Sequence, residues 1–210
     1  MSGTSIFDTA AFIASSSDPA LAAFLAQAPW LLPTRIETLV EQAVANASPG
    51  DYILAEGMAV HRSARIETGA IIKGPALIGP DCFVGAGAYL RGGCWLGPGC
   101  SLGPGVELKS SLLVSAVRLA HFNFVGDSII GHDVNLEAGS IVANYRNERN
   151  GGEIRIATSS GIVATGVEKF GALIGDGCRI GANAVVAPGA LLLPGTRVPR
   201  LGLVDQDPDA

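Results

Sequence analysis

Of the chain's three histidines, His121 stands in the segment Ala120-His121-Phe122-Asn123-Phe124-Val125-Gly126-Asp127. The imidazole is the side chain whose ordinary pKa suits proton removal near neutral pH, so His121 is the candidate general base. Upstream, Arg91, Glu107 and Lys109 are charges in otherwise small and aliphatic surroundings, and each taken alone reads as a solvated corner charge. His61 and His132 fall where neighbouring repeats carry glycine, which makes them surface corners. The four cysteines form no CxxC pair, so neither a zinc site nor a disulfide frame is expected and a reducing compartment is the default.

These side chains must be positioned by a repeat. Val60, Ile66, Ile72, Ile78, Val84, Leu90, Leu96, Leu102, Leu108 and Val114 follow one another at six-residue steps. The same step returns at Ile130, Leu136 and Val142, then at Ile156, Ile162, Ile174, Ile180, Val186, Leu192 and Val198. A small residue comes four positions after the aliphatic one, and all four cysteines (Cys82, Cys94, Cys100, Cys178) occupy that small position. A hexapeptide period is the mark of a parallel β-helix, each hexad giving a short strand and a corner. The period loses phase between Val114 and Ile130, with His121 inside the gap, and an interruption of so regular a repeat is where chemistry is sought. A polar run, Asn144 to Gly152, is expected to project as a loop, and Glu168-Lys169 marks a smaller disturbance.

Ahead of the repeat, Asp18-Pro19 opens a helix that runs to Gln27, Pro29 to Pro33 breaks it, and Thr34 with Glu37 has capping-box spacing for a second helix ending at Ser48-Pro49-Gly50. The expected organisation is a helical segment over 1–50, a β-helix over 51–200 with a protruding loop at about 144–152, and a tail over 201–210. Met1 to Ile13 lacks the basic start of a signal peptide, which leaves the cytoplasm as the expected location. A net charge of −5 disfavours nonspecific nucleic-acid binding, and no apolar run is long enough to span a membrane.

The hexads resemble those of the hexapeptide-repeat acyltransferases, which implies a mainly β fold: a left-handed parallel β-helix of hexapeptide repeats preceded by a short N-terminal α-helical segment. Within that group, several patches resemble, in order and spacing, the glucosamine-1-phosphate N-acetyltransferase domain of the bifunctional enzyme that makes UDP-N-acetylglucosamine. They are Leu90-Arg91-Gly92-Gly93, Val106-Glu107-Leu108-Lys109, the His121 segment, Val134-Asn135-Leu136-Glu137-Ala138-Gly139 and Asn144-Tyr145. Glu168 to Gly177 is similar to the archaeal branch. The 50 residues ahead of the repeat are too few for that enzyme's uridylyltransferase domain, and they carry no glycine-rich nucleotide loop.

The resemblance implies acetyl transfer from acetyl-CoA to an amino sugar phosphate, with His121 as base on the amine. It places Arg91 and Lys109 at the sugar's phosphate, Glu107 near the sugar, and Asn135 and Asn144 on the sugar or the base. Tyr145 would meet the phosphate or a neighbouring chain, and Lys169 would reach the same site. Ala138 would lie along acetyl-CoA, with Arg197 and Arg200 at its ribose phosphate. The implied assembly is a homotrimer, and no metal is implied. Phe124 stands where the family has a tyrosine, and Asn150 where it has a lysine, so the acceptor could be a different amino sugar or a nucleotide sugar. A non-catalytic assembly module is the competing expectation. A metal hydratase would need His61, His121 and His132 to converge, and their positions in the hexads do not match.

Overall fold

The computed structural model describes residues 8–14, 16, 18–149, 151–158 and 161–208. Position 150 therefore lies outside the described residues, as does most of the Met1 to Ile13 stretch. From Met58 onward the chain winds as a parallel β-helix with three faces. On the first face Ile78, Leu96, Leu113, Ile130, Ile174 and Leu192 stack in register. On the second, Val84, Leu102, Leu119, Leu136, Ile180 and Val198 do so within a seven-stranded ladder. On the third the row is Leu90, Leu108, Val125, Val142, Val186 and Val204. The three rows meet inside as one core, with the four buried, unpaired cysteines filling its corners. Layers of Val, Ile and Leu held by parallel ladders explain why so few aromatics suffice.

Two corrections to the sequence reading concern the period. The phase loss assigned to the His121 segment is divided between two other corners. Leu96 pairs with Leu113 and Leu113 with Ile130, seventeen residues apart at each step, whereas Ile78 and Leu96 are eighteen apart. The residue is lost each time where the third face turns into the first, at Lys109–Ser111 and at Gly126–Ser128. Ser110 (φ 45°) and Asp127 (φ 48°) adopt left-handed backbone there, which closes each corner in a tighter turn. Leu113 therefore takes the core place expected of Val114, and Val114 points outward into a second apolar layer. His121 itself sits on an unbroken hexad, between Leu119 and Val125.

The second correction is at Ile156 and Ile162, which are not hexads. Arg155–Thr158 and Gly161–Ala164 form an antiparallel hairpin, with Ala157 opposite Ile162, and Ile162 is exposed. The six-residue spacing there is the product of residue alternation in two paired strands. The chain leaves the β-helix after Val142 and rejoins it at Ala172, at the same corner that lost a residue on the two preceding coils.

The N-terminal helices follow the amphipathic expectation but not its details. Asp18 caps α1 (Pro19–Leu25) by accepting from the Ala20 and Leu21 amides. The expected interruption between the helices falls earlier, at residues 26–28, and Pro29–Leu31 forms a 3-10 turn that runs straight into α2 (Leu32–Asn46). Thr34 consequently lies inside α2 and donates to the Leu31 carbonyl at 2.9 Å instead of capping. Both prolines fall in first turns, where a missing N–H costs nothing. Leu32, Ile36 and Val40 of α2 bury against the outward side chains of the first face, Leu77, Trp95 and Leu112 among them. At Gly93 a Cβ would stand 3.1 Å from the Glu37 backbone, so α2 lies directly on that corner. Trp95 is 3% exposed. Trp95→Ala is expected to lower stability by about 3–5 kcal/mol through the cavity it opens, read as a shift in the urea midpoint; an unchanged midpoint would show that α2 does not depend on this contact.

Candidate functional site

The third face carries the candidate chemistry, with one candidate corner at each edge. His121 is at the corner where the second face turns into it, and Lys109 is at the corner where it turns into the first. Phe124 lies between them, half-buried and pointing outward, on the strand that pairs with Glu107 of the coil below and Ile141 of the coil above. From His121 the chain bends through Phe122 (φ 51°) and then runs extended over Phe124–Gly126, so the two corners lie at opposite ends of this strand. The two corners are thus the ends of one shallow floor.

At the lysine corner, side chains from distant parts of the chain converge. Arg91 and Lys109 stack on consecutive coils. Arg91 donates through Nε and Nη2 to one oxygen of Glu107, at 3.0 and 2.7 Å. Lys109 Nζ donates to both oxygens of Asp127 at 2.8 Å, and the Asn144 amide donates to the same carboxylate. Gly126 makes this possible. Any Cβ there would meet the Asn144 side chain at 2.8 Å and the Phe124 ring at 2.9 Å, so the glycine leaves the space in which the Asn144 amide reaches Asp127. The returning end of the excursion adds Lys169, whose ammonium is 5.9 Å from the centre of the Tyr145 ring. Arg91, Lys109, Phe124, Asn144, Tyr145, Glu168 and Lys169 line an open cleft of about 470 Å³.

The excursion is pinned so that Asn144 and Tyr145 stay in place. Arg146, buried, bonds Asp205 at 2.5 Å and the Pro188 carbonyl at 3.1 Å, and it pairs with Asp207 at 3.0 Å. The C-terminal segment is therefore the anchor of the loop.

The histidine corner is built differently. His121 is exposed, and its Nδ1 lies 3.2 Å from the point a Cβ on Gly103 would occupy. That Cβ would also collide with the Ala120 carbonyl oxygen, so glycine below is a condition of this corner. Behind it, the Asn123 amide is 2% exposed and donates to Glu137 O at 2.7 Å and Ser140 Oγ at 2.8 Å, fastening the coil to the next. Gly139 N donates to His121 O at 2.8 Å, which sets Ala138 directly above His121. Further along the same edge come Ala182 and then Arg200. Arg200 donates to both oxygens of Glu137 at 2.8 Å and, with the Ala182 amide, holds that carboxyl below the usual carboxylate range. His121 and Arg200 are three coils apart, roughly 14 Å, with only alanines between them. Asn135 and Arg197 are on the second face, stacked with Arg179 between them, and line a second cleft with Glu137 and Arg200.

The structure thus sorts the residues singled out in the sequence into two groups. Arg91, Glu107, Lys109, Phe124, Asn144, Tyr145 and Lys169 gather at or beside the lysine corner. His121, Ala138, Asn135, Arg197 and Arg200 lie on or next to the other edge. Asp127, in the sequence only the last residue of the His121 segment, is the shared acceptor of the lysine corner. Its signal in the sequence is Gly126, the small residue that leaves room for the Asn144 amide beside it. Cys94 is fully buried and its thiol is pushed up to about 12 by that burial, which leaves it inert as a nucleophile. Among the described residues no cluster of His, Cys, Asp and Glu could hold a metal ion, and no helix is long and apolar enough to cross a membrane.

Residues 75–110 match the family model described as bacterial transferase hexapeptide (six repeats), and residues 171–192 match the hexapeptide repeat of succinyl-transferase. An uncharacterized acetyltransferase, YaiX, of Escherichia coli is 31% identical over 160 residues, covering 76% of this chain and 66% of that protein. The chain belongs to the hexapeptide-repeat acyltransferases. Other members that it resembles are the bifunctional sugar-1-phosphate nucleotidylyltransferase/acetyltransferase of Sulfurisphaera tokodaii, 32% identical over 101 residues, and the bifunctional protein GlmU of Methanococcus vannielii, 34% identical over 101 residues. Each of those alignments covers 48% of this chain, but only 25% and 24% of the respective relative. The acyltransferase chain therefore spans about a quarter of the length of these two relatives.

Proposed function

We propose that the protein transfers an acetyl group from acetyl-CoA to the amine of a phosphorylated amino sugar. The observation that carries this reading is the arrangement of one floor with a base at one end and a cation cluster at the other. The sugar would lie across Phe124, its amine toward His121 and its phosphate toward Lys109 and Arg91. Phe124 offers a ring face to the sugar but no hydroxyl, so the phosphate would be held by Lys109, Arg91 and Lys169. To take it, Lys109 would have to share its ammonium between Asp127 and the ligand.

The donor would follow the alanine-lined edge. With the thioester beside His121 and Ala138, the arm would pass over Ala182, and the phosphates at the far end would meet Arg200 and Arg197. The amine nitrogen would attack the thioester carbonyl carbon while His121 takes its proton. Collapse of the tetrahedral adduct would then break the C–S bond, and the CoA thiolate would leave and take up a proton. Juxtaposition of two substrates supplies much of the acceleration, and no covalent enzyme intermediate is required. The outward third face, with Ile71, Ile141 and Leu203 exposed, would be enclosed by neighbouring copies in a homotrimer.

The test is release of free CoA thiol from acetyl-CoA in the presence of glucosamine 1-phosphate and related amino sugar phosphates. Acceptor-dependent release is expected; none with any of them would favour an assembly module. Arg200→Ala is expected to raise the KM for acetyl-CoA about tenfold with little change in kcat, the loss of one charge-assisted phosphate contact. An unchanged KM would move the donor off this edge.

A further inference from the structure

The cations of the lysine corner continue beyond the cleft. Ile72 pairs with Leu90, and Leu90 with Leu108, so Lys73, Arg91 and Lys109 occupy the same position on three consecutive coils. They stand one above another at intervals of about 4.8 Å. Arg91 is matched by Glu107 and Lys109 by Asp127, whereas among the described residues Lys73 has no carboxylate within ion-pair distance. Between the first two cations is Tyr89. The Lys73 ammonium is 5.2 Å from its ring centre and the Arg91 guanidinium carbon 5.9 Å. Tyr89 points out of the third face one coil below Glu107 and two below Phe124. Stacked like charges repel, and a row whose last member lacks a counter-ion leaves a position of positive potential beside an aromatic ring.

Direction matters as well. The donor edge leaves His121 toward Arg200, that is, toward the C-terminal coils. An acceptor lying across Phe124 meets the cation row at Lys109, and the row leads the opposite way, toward the N-terminal coils. The two substrates would diverge from His121 without crossing. A sugar monophosphate would engage Lys109 and Arg91 and leave Lys73 and Tyr89 unused. A second phosphate would fall between Arg91 and Lys73, and a nucleobase would find the Tyr89 ring, a surface on which any base can stack.

We propose that Lys73 and Tyr89 form a subsite for the nucleoside diphosphate of a nucleotide-linked amino sugar, so that the acceptor is larger than a sugar monophosphate. For its chemistry the proposal rests on the acetyl-transfer reading, but its binding prediction does not. Calorimetry on the full chain, with UDP-N-acetylglucosamine and N-acetylglucosamine 1-phosphate as product probes, measures binding without turnover. The diphosphate is expected to bind at least about tenfold more tightly, the worth of one charge-assisted contact. Lys73→Ala and Tyr89→Leu are each expected to remove most of that advantage while leaving the monophosphate unchanged. Lys73→Arg is expected to keep it. Lys73 is exposed, so its replacement leaves the core intact, and circular dichroism of each variant checks this. Equal affinity for the two probes, a loss shared equally by both, or binding of neither overturns the subsite. Tight, Lys73-dependent binding of the diphosphate with no thiol release from acetyl-CoA and UDP-glucosamine would uphold the subsite and overturn acetyl transfer.

Discussion

His121→Ala is expected to lower kcat for acetyl transfer by a factor of about 10² to 10⁴, the usual worth of a positioned general base, while the KM for acetyl-CoA stays close to that of the native protein. The split follows from geometry: His121 holds neither arm of the donor, whose phosphates would end roughly 14 Å away at Arg200. The histidine is exposed and stands over Gly103, so its removal leaves an open notch without collapsing any packing. Two consequences distinguish a base from a structural corner. The variant should unfold at the same urea concentration as the native chain, and added imidazole should restore part of the rate by occupying the notch. Retention of full activity would remove His121 from the reaction. A large loss of stability would make it a structural residue.

How much of this was legible beforehand depends on what kind of information each feature needs. The β-helix was readable because every coil repeats the same demand, an aliphatic residue inward at each hexad, and chance does not sustain that over so many steps. The phase was misread because six-residue counting cannot tell one missing pair from two single losses. Leu112, Leu113 and Val114 are all apolar, since this face buries both of its sides, one in the prism and one under α2. Ile156 and Ile162 mislead for a related reason: two paired antiparallel strands of alternating residues can mimic two hexads. The missing cap at Thr34 shows tertiary context overriding a local motif, because a 3-10 turn already supplied the start of α2.

The site was legible in its members and not in its grouping. Arg91 and Lys109, eighteen residues apart, share a corner on the plain period, but the places of Asp127 and Asn144 beside them follow only from the two shortened coils, since each lost residue moves the following positions around the prism. The same correction changes the standing of His121. It is not remarkable for sitting in a break of the repeat. It lies between two altered corners, on an unbroken hexad with Gly103 beneath and Ala138 above, and this position leaves its ring exposed at the edge of the third face.

Asp127→Ala is expected to cost about 3–5 kcal/mol of stability, because it strips the carboxylate from a mostly buried pair and leaves the partner uncompensated. Asp127 is 2% exposed, Lys109 retains 19%, and the Asn144 amide loses its acceptor at the same time. The loss should be larger than for Glu107→Ala, whose ion pair with Arg91 is 35–37% exposed and screened by water. A double substitution, Asp127→Leu with Lys109→Met, should recover much of the stability, since no buried charge then lacks a partner. It should not recover binding of any phosphorylated sugar, because the ammonium has gone with it. Unfolding midpoints of the three variants beside their affinity for N-acetylglucosamine 1-phosphate separate the two roles. If Asp127→Ala were as stable as the native chain, the pair would be a surface contact and the lysine corner would lose its rigid anchor. If the double variant still bound the phosphate, Lys109 would be structural, and the cation row would begin at Arg91.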